Sequence, residues 1–259
     1  MSDDVVMQVE GGVAWVTLNR PDSMNAINNG VREAIPRLLD QAQADDAVRV
    51  VVVQGAGPKA FCTGADIREF NPVASLTLDR QRRVHANWIN AFERLRKPVI
   101  ASIHGYCLGG GLEIALCCDI RIAADNAVFG FPETGLGFLP GAGGTQRASR
   151  VLGLGLALDL VLSGERMDAA QAQRIGLISR LCEASALQEQ TAALAAKMAA
   201  KPPLAMQLAK EAVRQGHDMN LANGIRLEAD LQTHLLNTQD RLEAAAAFRE
   251  KRPPKFTGQ

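Results

Sequence analysis

Apolar residues in this chain come first as short runs and only later as helical stripes. Val5 to Val9 and Val13 to Leu18 are β-rich runs split by Gly11-Gly12, and they predict a hairpin. Val48 to Val53 and Val99 to Ile103 are strongly apolar, the pattern of short buried strands. Ile120 to Ala123 and Ala127 to Phe131 give two more strand-like runs, with Asp125-Asn126 as the turn between them. Elsewhere the period lengthens. Val31, Ile35, Leu38 and Leu39 form the stripe of a helix capped by Asn28 or Asn29 and running to about Ala44, with Pro36 inside the pattern. A helix is predicted over Leu78 to Leu95, ending before Lys97-Pro98, and the stretch before it, Asn71 to Thr77, is less regular. Ile114 to Cys118 predict a buried helix. From Thr145 the pattern is helical, apart from a strand-like break at Leu177 to Leu181. Pro202-Pro203 marks a boundary, and helices are predicted beyond it over Leu204 to Gln215, about Met219 to Leu236, and Asp240 to Arg249. No repeat has clear sequence identity. A strand-strand-helix rhythm nevertheless recurs through the first two-thirds, and points to a stacked, coil-like α/β arrangement.

Composition narrows the function classes. A chain of 259 residues with 47% hydrophobic content suits one large domain, or one domain with a helical appendage. Lysine plus arginine and aspartate plus glutamate both number 28, so there is no global basicity to favour nucleic acid or an anionic membrane. No apolar run is long enough for a membrane span. Met1-Ser2-Asp3-Asp4 lacks the basic-then-apolar order of a signal peptide, and a cytoplasmic location is expected. The five cysteines form no CxxC pair and the four histidines are scattered, so no structural metal is expected.

The residues that could do chemistry cluster at two strand-to-helix loops. In one, Gly109-Gly110-Gly111 follows the Val99–Ile103 strand and opens the helix that holds Glu113. The other is Ala60 to Asp66. Glycine lets a ligand approach the backbone, and a helix start offers unpaired N–H groups. Two such groups converging from two loops would form an oxyanion hole. Glu133 follows Pro132 at the end of an apolar run, where desolvation should raise its pKa. Glu113 and Glu133 together could share acid and base roles. Taken singly, each has a plainer reading: a helix-start glutamate, and a surface glutamate after a proline turn. Gly141 to Thr145 looks like a phosphate loop, but no Lys-Ser/Thr follows, and no GxGxxG appears after the early strands. Asp66 reads as a helix cap, and Tyr106 as packing beside the glycines. His104 has no Ser or Cys partner in the sequence.

In combination these segments are specific. Leu18-Asn19-Arg20-Pro21 with Asn25-Ala26, Ala60 to Asp66, Gly105 to Glu113, Pro132-Glu133, Pro140 to Arg147, and Phe248 with Glu250 to Phe256 occur in order across nearly the whole chain. In this the sequence resembles the enoyl-CoA hydratase/isomerase, or crotonase, family. The resemblance implies a crotonase-like spiral of repeated ββα units over 1–200 and a C-terminal helical region over 201–259 that builds trimers, commonly paired into hexamers. It implies an acyl-CoA thioester substrate, with coenzyme A part of that substrate and no separate cofactor, and neither nucleic acid nor membrane as partner. The family's two oxyanion N–H groups map onto Ala65 and Gly110, and its two catalytic glutamates onto Glu113 and Glu133. Gly109 and Gly111 are expected to keep the backbone open to the ligand. Substrate contacts are implied at Ala26, Ala60, Gly64, Asp66, Ile67, Arg68, Leu108, Gly109 and Pro132, and at Lys255 and Phe256 in a tail that reaches a neighbouring subunit's ligand. Phe131 departs from the family, many short-chain members of which carry Gln before the Pro-Glu pair. That change either alters the acyl pocket or packs behind it. Asn71 to Ala86, which shapes the acyl end in relatives, matches no specificity class. Retention of both acids favours hydration over isomerisation of the double bond. An RNA-binding role would need a basic helix, whereas Gly30 to Ala44 carries only Arg32 and Arg37 against Glu33 and Asp40.

Overall fold

The computed structural model describes residues 3–70, 74–85 and 87–259. A hairpin of β1 (Val5–Glu10) and β2 (Val13–Leu18) opens the chain and leads to α1 (Asn29–Ala44). Asn28 caps α1, its side chain accepting the Val31 N–H at 2.9 Å. Three strand-strand-helix units follow. The first has β3 (Val50–Gly55), β4 (Ala60–Cys62), α2 (Leu76–His85) and α3 (Ala91–Arg94). The second has β5 (Val99–Ile103), β6 (Tyr106–Leu108) and α4 (Gly110–Cys117). The third has β7 (Ile120–Ala124), β8 (Val128–Gly130), α5 (Gly144–Leu152) and α6 (Leu154–Ser163). After β9 (Met167–Asp168), α7 (Ala169–Arg174), β10 (Arg180–Cys182) and α8 (Leu187–Ala199), the chain ends in α9 (Pro203–His217), α10 (Leu221–Leu235) and α11 (Gln239–Glu250).

Each unit sends its first strand to one sheet and its second to another. The large sheet runs β1-β2-β3-β5-β7-β10 and the small one β4-β6-β8-β9. Within the large sheet only the β1–β2 pair is antiparallel, and in the small one only β8–β9. The chain therefore advances one strand per unit in both sheets, which is the expected crotonase-like spiral. The central strands β3 and β5 of the large sheet are buried on both faces, hence their apolar runs. Along β3, Val51 and Val53 join the main core with α1, α3 and α4. Val50 and Val52 point the other way, with Ile100 and Ile122, against Leu187, Leu194 and Met198 of α8.

One expected element is broken. The stretch read as a single helix from Leu78 to Leu95 is α2, then a tight turn at Trp88–Asn90, then the four-residue α3. The Asn87 side chain accepts the Ile89 N–H and starts that turn, a local bond that competes with helix continuation. Residues 71–73 and 86 of the stretch tied to the acyl end lie outside the described residues. Beyond Pro203, α9 and α10 pack on each other, and α9 is tied to the core through Lys210 and Arg214, which pair with Asp119 at 2.9 Å each. Val213, Leu221, Ile225 and Phe248, the last 87% exposed, leave these helices with apolar surface uncovered in the single chain.

Candidate active site

The small sheet delivers two loops to one place. After β4 the chain turns at Gly64, and Ile27 pairs with Ala65 as an isolated parallel bridge. That bridge uses the Gly64 carbonyl and the Asp66 N–H, so the N–H of Ala65 faces away from Ile27. After β6, Gly109 (φ 52°, ψ −125°) turns the chain into α4, whose first N–H is that of Gly110. Among the described residues neither the Ala65 nor the Gly110 N–H has a hydrogen-bond acceptor. The two loops touch: a Cβ on Gly64 would lie 3.0 Å from the Gly110 nitrogen, and one on Gly110 would lie 3.7 Å from the Ala65 nitrogen. Two unpaired backbone N–H groups thus stand on loops in close contact, the arrangement that a two-donor oxyanion hole needs, built by backbone approach rather than by side chains.

The third glycine serves a different purpose from the one expected. A Cβ on Gly111 would overlap the Cys62 carbonyl, so Gly111 lets α4 close on β4 instead of opening the backbone to a ligand. Tyr106 is 37% exposed, with the Arg166 guanidinium over its ring at 5.5 Å.

Both glutamates border this hole. Glu113 is 3% exposed, and its Oε1 accepts the N–H groups of Ala142 and Gly144, each at 2.7 Å. Burial pushes its pKa up, while those two N–H groups and the Arg147 guanidinium pull it back. The loop that looked like a failed phosphate cradle is thus a carboxylate cradle. Glu133 lies on the tight turn Pro132–Leu136, and a Cβ on Gly109 would come 2.8 Å from its Oε1. Its Oε2 is the one buried side-chain oxygen or nitrogen among the described residues without a hydrogen-bond partner. Burial, with the charge of Glu113 adding to it, raises its pKa to about 7. Phe131 is fully buried, and its ring lies 2.9 Å from where a Cβ on Gly144 would stand. It packs behind the Glu113 cradle.

The remaining expected contacts divide in two. Asp66 caps the turn Ile67–Glu69 and is bonded by Arg68 and Arg20, which hold its carboxyl well below the usual range. Ile67 and Arg68 are exposed beside Ala65. Ala26 is half-buried, and its carbonyl accepts from Arg20; Ala60 is buried, and its carbonyl accepts from Asn25. Leu108 is buried at the end of β6, and Pro132 leads directly into Glu133. Lys255 and Phe256 are held elsewhere. The Lys255 N–H donates to Glu243 of α11, and the Phe256 carbonyl accepts from Arg49. The donors Ala142 and Gly144 went unread in the sequence, although their loop stood out there. Arg147, in the same motif, and Glu93, which marks no motif, also went unread.

Comparison with known proteins identifies the family. The family model described as enoyl-CoA hydratase/isomerase matches residues 8–259. A short-chain-enoyl-CoA hydratase of Clostridium acetobutylicum is 39% identical over 96% of each chain. The 2,3-dehydroadipyl-CoA hydratase of Escherichia coli is 41% identical over 98% of this chain and 99% of its own. The crystal structure of an enoyl-CoA hydratase from Bacillus anthracis superposes with a TM-score of 0.93 at 36% identity, covering 99% of this chain and 100% of the other. The chain belongs to the enoyl-CoA hydratase/isomerase family.

Proposed function

We propose that the protein adds water reversibly across the 2,3 double bond of an enoyl-CoA thioester to give a 3-hydroxyacyl-CoA. The observation that carries this reading is the pair of carboxylates beside the two unpaired N–H groups, the buried Glu113 gripped by the backbone of Ala142 and Gly144 and the half-buried Glu133 with one oxygen unpartnered. The thioester oxygen docks between the N–H groups of Ala65 and Gly110. Water attacks the β-carbon, and negative charge moves to that oxygen as an enolate, so the donors act most strongly in the transition state. Each donor of this kind is worth about 3–4 kcal/mol. Glu113, which two N–H groups favour as the carboxylate, takes the proton from water. Glu133, with a pKa near 7, holds a proton in the substrate complex and gives it to the α-carbon. Dehydration of the 3-hydroxyacyl thioester is the same path reversed.

Purified protein should remove the conjugated absorbance of a trans-2-enoyl-CoA and form the 3-hydroxyacyl product. Conversion of 3-enoyl to 2-enoyl thioester without hydration would replace this reading with the isomerase one. A panel of acyl lengths and branched acids would identify the acyl group. Assembly as a trimer or a pair of trimers is part of the proposal. It is supported by the exposed apolar residues of α9 to α11 and by Leu154 and Leu162 of α6, and light scattering tests it. Cytoplasmic residence belongs to the same proposal, to be checked by cell fractionation. Among the described residues no helix is long and apolar enough to cross a membrane.

A further inference from the structure

The cradle of Glu113 is itself held. The peptide joining Ala142 to Gly143 lies between the two peptides that donate to Glu113. Its carbonyl accepts from Arg147 Nη1 at 3.0 Å. The guanidinium folds back so closely over Gly143 that a Cβ there would overlap it. Arg147 is aimed by Glu93 of α3, whose Oε1 accepts from Nη2 at 2.7 Å and from Nε at 3.2 Å. The other oxygen of Glu93 meets Arg214 at 3.4 Å, and Arg214 also bonds the Cys117 carbonyl and Asp119 Oδ1 at the end of α4, the helix that carries Glu113. One acidic side chain thus joins the loop that grips Glu113 to the helix that presents it.

We propose that Arg147 is a positioning residue for Glu113: by pinning the Ala142 carbonyl it fixes the two N–H groups that orient the carboxylate, and Glu93 aims it for that task. This rests on the hydratase reading of the site. Among the described residues, the charged or titratable side chains that act on Glu113 or feel its charge are Arg147 from α5, Glu133 from its turn, and Cys117 from α4 itself. Strands β4 and β6 pack on α4 and carry Cys62, Cys107 and Tyr106; burial pushes both thiols up, Cys62 to about 12. Arg147 is the one cation of this set. Its loss therefore disfavours the ionised form of Glu113 directly, and again by loosening its donors.

The test is the pH dependence of kcat and kcat/KM for hydration by the wild type, Arg147→Met, Arg147→Lys and Glu93→Gln, with folding checked by circular dichroism. Arg147→Met should lower kcat about 10–100-fold, leave KM for the thioester within about threefold, and move the acidic limb up by about one pH unit. Glu93→Gln should move that limb the same way by less, and Arg147→Lys should restore part of it. A folded Arg147→Met whose limb stays in place overturns the proposal, whatever its rate. If that variant does not fold, an unmoved limb in both Glu93→Gln and Arg147→Lys overturns it instead. If the wild type hydrates nothing, the functional reading fails. The Arg147 role is then read from infrared pH titration of the Glu113 carboxyl, assigned by difference against Glu113→Gln. An upward shift in Glu93→Gln and Arg147→Lys supports the role, and an unchanged titration overturns it.

Discussion

The two ends of the candidate site treat the same functional group in opposite ways. At one end Glu113 is almost fully buried, yet one of its oxygens receives two backbone N–H groups at 2.7 Å, with a guanidinium one residue further back. At the other end Glu133 is only half-buried, yet its Oε2 has no partner and its pKa is raised to about 7. Burial alone would rank them the other way. Two N–H groups and the Arg147 guanidinium pull Glu113 back from the rise that burial imposes, whereas Glu133 is pulled back only by a backbone hydrogen bond of its own residue, a contrast that suits the proposed roles of Glu113 as base and Glu133 as acid. One α4 N-terminus serves both, because Gly109 approaches Glu133 and α4 carries Glu113.

The strongest way to break this comparison is to neutralise each end in turn. Glu113→Gln and Glu133→Gln should each lower kcat by about 10²–10⁴-fold with the fold intact by circular dichroism. Near-full activity in either would dissolve the division of labour. Crowding each end without removing its acid should have a smaller effect. A Cβ on Gly144 would stand 2.9 Å from Glu113 Oε1, 2.8 Å from Pro140 Cβ and 2.9 Å from Phe131 Cε1. Gly144→Ala should therefore cost about 1–3 kcal/mol of stability as well as rate. Gly109→Ala meets Glu133 Oε1 at 2.8 Å from a backbone with φ 52°, and should lower kcat about 10–100-fold. Equal stability losses with an unchanged rate in both would show that neither glycine shapes the site.

How far the site could be read from the sequence follows the same division. The buried strands of the large sheet announced themselves as apolar runs, and α1 by its stripe and its Asn28 cap. Of the small sheet only β8 was anticipated. The strands β4 and β6 have three residues each and β9 has two, too short for a period to show. Yet these strands place the oxyanion loops, so the donors Ala65 and Gly110 were reached through the family resemblance and not through periodicity. The raised pKa of Glu133 was legible, because an apolar run and a proline precede it. The cradle of Glu113 was not. Its donors are backbone groups of Ala142 and Gly144, some thirty residues on, and a backbone N–H leaves no residue-type signal. The contacts implied at Lys255 and Phe256 came from the family resemblance alone; in the single chain Lys255 is exposed and Phe256 half-buried, bonded through their backbones to Glu243 and Arg49.

The finest test of the contrast is stability rather than rate. Glu133 has an ordinary pKa of 4.5 in the unfolded chain and about 7 in the folded one. Between those values the unfolded chain releases a proton that the folded chain keeps, so stability falls as pH rises through that window and stays lower above it. The full linkage is about 3 kcal/mol. Glu133 is only half-buried, and solvent screening reduces the expectation to about 1–2 kcal/mol. Glutamine carries no charge at any pH. Glu133→Gln should therefore melt about 2–6 °C above the wild type at pH 8 and level with it at about pH 4 or below, at one fixed protein concentration. Glu113→Gln should gain less at pH 8, because the N–H groups of Ala142 and Gly144 already offset the burial of its carboxylate. Equal gains for the two variants would mean that the cradle does not distinguish the acids, and the contrast between the two ends would be one of burial alone.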